Sequence, residues 1–88
     1  VTTVTYTWRP VDGDEVVVTL HRDYHAQTPH YDIRLGETDL GSVFHDENPI
    51  YGWRFRRYGV REKRGSHLRD HIAAVSALLF CLRQERKV

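Results

Sequence analysis

The apolar residues of this chain change period once, and that change limits it to a sheet followed by a helix. Up to Tyr58 they recur at alternate positions, as half-buried strands require. From Leu68 they recur through Ile72, Val75, Leu79 and Leu82 at steps of four or three, which is one stripe of an amphipathic helix. Val4-Thr5-Tyr6-Thr7-Trp8 alternates β-branched and aromatic residues until Pro10 ends the run. Asp12-Gly13 marks a hairpin, because a tight turn needs positive φ and these residues tolerate it. Val16 to Arg22 returns as a second strand. The polar stretch Asp23 to Pro29 precedes Tyr31 to Leu35, and Gly36 to Gly41 reads as a turn into Ser42-Val43-Phe44-His45. Ile50 to Tyr58 is the most strand-like segment, with Tyr51, Trp53 and Phe55 on one face and Arg54, Arg56 and Tyr58 on the other.

The helix start has two candidate caps, Ser66 and Asp70. Asp70 is the better one chemically, since an acid also suits the positive end of the helix dipole. Short connections imply antiparallel neighbours. The expectation is therefore an α+β domain, an antiparallel meander sheet of four to five strands with one C-terminal helix packed on one face. The 88 residues suit a single domain, 1–88, with an acidic hairpin over 1–22, three strands over about 30–58 and a helix over about 66–86. Cys81 is the one cysteine, so neither an intrachain disulfide nor a Cys-based zinc site is open to it. The longest apolar run, Ala77 to Leu82, is too short to span a bilayer, and the opening residues lack a basic-plus-apolar pattern, so no leader is expected. A cytoplasmic location with no membrane partner is expected.

Charge is divided along the chain. Residues 1–50 carry a formal −6 and residues 51–88 a formal +7, leaving a total of +1. The cationic set is Arg54, Arg56, Arg57, Arg61, Lys63, Arg64 and Arg69, interleaved with Tyr51, Trp53 and Tyr58. Arginine chelates phosphate bidentately and pairs with guanine edges, so this set, with Tyr58 stacking or bonding to the backbone, is the candidate DNA-binding surface. The competing reading is a solvated face neutralised by the acids of the first half, those of the opening hairpin above all. The DNA reading requires the arginines near the fifth strand to form one exposed cationic plate.

Other constellations are weaker. His67 and His71 share a helix face at i and i+4 only if both are helical, and with Asp70 as cap the pair dissolves. No metal or cofactor is expected. No nucleophile elbow, phosphate loop or paired-carboxylate signature accompanies the serines, histidines and aspartates, so no catalytic residue is assigned and the chain is read as a non-enzyme. Cys81 lies in the apolar helix segment, where a small hydrophobe is the ordinary role. Ala73, Ala77 and Phe80 lie away from the stripe that packs on the sheet. They form a second apolar surface suited to a homodimer or to a host protein, unless the opening hairpin folds over it.

Residues 31–79 carry a family likeness in a strand pair with Leu-Gly-Ser-Val, a Gly-Trp-Arg-Phe strand and a helix reading Ala-Ala-Val-Ser-Ala-Leu-Leu. This half of the chain resembles the three-strand-plus-helix DNA-binding modules of the integrase arm-binding and AP2 type. It also resembles small domains common in actinobacterial and phage genomes. The resemblance implies that the outer sheet face enters the major groove, with Arg54 and Arg56 at the interface. The acidic hairpin has no counterpart in that pattern, and the helix is more apolar than such modules need. The function expected from the sequence is a small DNA-binding accessory or regulatory protein, dimeric and phage-encoded. The alternative is an interaction module that binds or inhibits another protein without nucleic acid.

Overall fold

A computed structural model describes residues 3–88. The strands are β1 (Thr3–Trp8), β2 (Val16–Arg22), β3 (His30–Leu35), β4 (Thr38–His45), β5 (Trp53–Arg57) and β6 (Arg64–Leu68), followed by helix α1 (His71–Gln84). They form one antiparallel meander in the order β1-β2-β3-β4-β5-β6. The architecture is thus α+β, with the helix packed across one sheet face.

Six strands stand where four to five were expected. The extra one, β6, occupies the start of the expected 66–86 helix. The Asp70 carboxylate accepts the Ala73 N–H at 2.8 Å and so places the helix start after itself. Upstream, Gly65 and His67 hold positive φ (73° and 61°), a conformation no right-handed helix contains. The 3.6-residue stripe therefore began one element too early, at Leu68, which is the last residue of β6. At the other end Arg86 takes φ 60°, which lets the Lys87 N–H reach the Leu82 carbonyl at 2.9 Å and close the helix.

The β3–β4 hairpin is also tighter than the expected Gly36–Gly41 turn. Gly36 (φ 60°) and Glu37 alone connect the strands. β4 instead spends a residue on a bulge, since Ile33 faces Gly41 while Arg34 faces Asp39, leaving Leu40 extra. The bulge turns Leu40 into the core and brings Gly41 against the Arg56 backbone carbonyl, where a Cβ has no room.

Register assigns the two faces. Val18, Leu20, Ile33, Val43 and Phe55 meet Ala74, Val75, Leu78, Leu79 and Leu82 of α1, and all ten are buried. Each large side chain so buried contributes roughly 1.5–3 kcal/mol. Trp53, on the same face of β5 as Phe55, is only half-buried, at the edge of the helix, 5.9 Å from the His71 ring. No described helix is long and apolar enough to cross a membrane. Among the described residues, the opposite face of the sheet has no second layer.

Candidate nucleic-acid interface

The bare face carries Asp32, Arg34, Ser42, Phe44, Arg54 and Arg56, the cross-strand alternates of the core residues. Val43 and Phe44 are consecutive apolar residues, so one must lie on each face of the sheet. Phe44 lies on the side away from the helix, yet it is only 5% exposed. Three basic side chains cover it. The Arg56 guanidinium lies 4.9 Å from its centroid, Lys63 Nζ 5.7 Å, and the His30 ring stacks at 6.0 Å. An aromatic face attracts cations through its quadrupole, so Phe44 gathers positive charge that would otherwise repel. The adjacent Val43-Phe44 pair was the sequence signal for this residue.

Asp46 is the second organiser. Its carboxylate lies 3.4 Å from Arg54 Nη1 and 3.4 Å from Lys63 Nζ, and it accepts the Asn48 N–H at 2.9 Å. The Asn48 hydrogen bond holds the carboxyl below its ordinary value of 3.8, burial opposes it, and the Lys63 and Arg54 charges add to the lowering. The Asp46 N–H donates to the Gly52 carbonyl at 2.9 Å. The β4–β5 connection, with its 3-10 turn at Pro49–Tyr51, is thereby pinned to the strand that follows it.

With Lys63 held by Asp46, the six predicted arginines divide into three groups. Arg54 lies on the bare face, but its donors are engaged: Nε bonds the Gly65 carbonyl at 2.8 Å and Nη2 the Lys63 carbonyl at 3.3 Å, while the guanidinium lies over Tyr51. It clamps the β5–β6 connection. Arg57 and Arg64 lie on the helix side, away from Arg56. Arg57 pairs with Glu85 and lies 3.9 Å from Glu62; Arg64 lies 3.3 Å from Glu62 and donates to Cys81 Sγ at 3.2 Å. Arg56, Arg61 and Arg69 remain most available. Arg56 and Arg61 make no ion pair among the described residues, and Arg69 is highly exposed beside Asp70 at 3.9 Å. Tyr58 is exposed at the end of β5.

The quenching acids are not those of the opening hairpin. There Glu15 pairs with Arg9 at 3.0 Å, within the hairpin itself. Asp46, Glu62 and Glu85, all close in sequence or space to β5, neutralise part of the cationic set instead. What is left open is smaller than a whole plate and centred on Arg56. That side chain is the shared wall of two shallow depressions. One, about 370 Å³, includes Asp32, Arg34, Asp39 and Tyr58. The other, about 310 Å³, includes His25, His30, His45, Lys63 and Glu47. Arg57 also lines the first, and the second is the one that gathers histidines around Arg56 and Lys63.

On the outer side of α1, Phe80 is 59% exposed, while Ala73 and Ala77 are half-buried. The opening hairpin approaches this side without covering it: Tyr6 Oη meets Ser76 Oγ at 3.0 Å, and Arg83 lies over Trp8 at 5.4 Å. His67 lies in β6 and His71 opens α1, so the two do not share a helix face. Cys81 is half-buried between Arg64 and Glu85.

The arrangement defines a small α+β domain, a six-strand meander with one bare and partly cationic face. Compared with known proteins, the chain matches no family model, no curated protein and no solved structure.

Proposed function

We propose that this chain is a non-enzymatic, cytoplasmic DNA-binding module that grips the duplex with the bare sheet face around Arg56. The carrying observation is that Arg56 has no carboxylate partner among the described residues while Lys63 and His30 share its aromatic support, Phe44. A preformed guanidinium on a rigid strand loses little entropy on meeting a phosphate. Exposed Arg61 and Arg69 supply further backbone contacts, which position a protein on DNA without reading it. Arg54 acts by holding the β5–β6 connection in place, and Tyr58 is free to stack. The accessory or regulatory role of small phage proteins fits a module of this size.

The test is fluorescence anisotropy with short duplexes at two salt concentrations. Binding should weaken with salt, and Arg56→Ala should lower affinity and reduce the salt slope by about 1. Equal loss on all sequences makes Arg56 a phosphate contact, whereas loss on selected sequences makes it a base contact. Retention unchanged by Arg56→Ala removes the reading.

The alternative, a protein-interaction module without nucleic acid, draws on the exposure of Phe80 between depressions of about 430 and 490 Å³. An apolar contact there to a second copy or to a host protein would be nearly insensitive to salt. Phe80→Glu should abolish it.

A further inference from the structure

We propose that two copies of this chain join through β1, edge to edge and antiparallel, about a two-fold axis at Thr5. The inference is independent of the DNA reading. An open sheet has two edges, here β1 and β6, and each edge presents unpaired N–H and C=O groups to any strand that fits. The two edges are built differently. The pairing of β6 with β5 loses register between Trp53 and Phe55, and two of its five residues hold positive φ. Its side chains include Arg64 and His67. Irregularity and charge of this kind block strand addition.

β1 has none of these defences. Its residues Thr3 to Trp8 pair with His21 to Val16 of β2 in unbroken register, and the strand contains no charge, glycine or proline. An identical strand approaching its outer edge meets no like charge.

The sequence of β1 is also self-complementary. With Thr5 opposite Thr5 of a second copy, Val4 falls opposite Tyr6, and Thr3 opposite Thr7. Thr3, Thr5 and Thr7 share the bare face, so only threonines would meet threonines there, a favourable cross-strand pair. Val4 and Tyr6 share the helix face. Val4 is 59% exposed although its β2 neighbour, Leu20, is buried, because α1 packs chiefly over β4, β5 and β6. Tyr6 of the second copy would cover it, and an aromatic beside a β-branched residue is another favoured pair. The second copy thus supplies both the missing backbone partners and cover for an exposed valine.

Light-scattering mass measures the outcome. Wild type should run at twice its 10.4 kDa. Thr5→Lys and Thr5→Glu, at an exposed position on the bare face, should each run as folded monomers by circular dichroism. Mixing the two should restore the doubled mass, because Lys then faces Glu. Phe80→Glu should remain dimeric, which separates this contact from one through the helix. Should the charged variants unfold, Thr5→Cys in a Cys81→Ser background should cross-link between chains with a short bis-maleimide, and Val17→Cys should not. A wild type that stays at 10.4 kDa, a dimer indifferent to Thr5→Lys, a mixture that stays monomeric or a dimer dissolved by Phe80→Glu each overturns the proposal. So does equal cross-linking of the two cysteine variants.

Discussion

The Arg56 guanidinium lies 4.9 Å from the centre of the Phe44 ring, on the face of the sheet that the helix leaves bare. This pairing lets an aromatic residue stay buried without a second layer, since basic side chains serve as its cover. Replacing the ring should therefore cost more than replacing any one cation. Phe44→Leu keeps apolar volume but loses the π face, and it should destabilise by about 1–2 kcal/mol in urea titrations. Arg56→Ala should cost about 0.5–1 kcal/mol.

Asp46 should make the β4–β5 connection sensitive to acid. Its carboxyl is lowered in the folded state, so its contribution is present above the unfolded value and is lost as pH falls through the folded one. Asp46→Asn should lower the urea midpoint at neutral pH. The gap from wild type should narrow below about pH 4 as the native carboxylate takes up its proton. A gap that stays constant down to about pH 2 would assign the loss to packing instead.

Asp70 sets where the helix begins. Asp70→Ala should cost about 1 kcal/mol and lower Tm by about 4–8 °C, while Asp70→Ser should retain most of the stability. Thermal unfolding followed at 222 nm measures both. The serine variant tests whether the cap matters through its hydrogen bond or through its charge.

Leu78 is fully buried between helix and sheet. Leu78→Ala should cost about 2–5 kcal/mol, a large share of the roughly 4–13 kcal/mol expected for a domain of this length. Phe80→Ala, two residues on but exposed, should change stability by less than about 0.5 kcal/mol in the same denaturation.

Local periodicity and capping were readable in the chain because they depend on neighbours in sequence. The meander, the helix on one face, the Asp70 cap and the outward turn of Phe80 all follow from spacing of this kind. β6 escaped notice because Arg64–Leu68 has no alternation, and its strand character comes from pairing with β5. The fate of each arginine was equally hidden. Arg54, Arg56 and Arg57 are near neighbours in sequence, yet one clamps backbone, one covers a ring and one pairs with Glu85 across the fold. Charge counts add up along a chain, but a carboxylate neutralises only the cation that folding brings within a few ångströms of it. Tertiary structure alone therefore decided how much of the +7 half stays open to a partner.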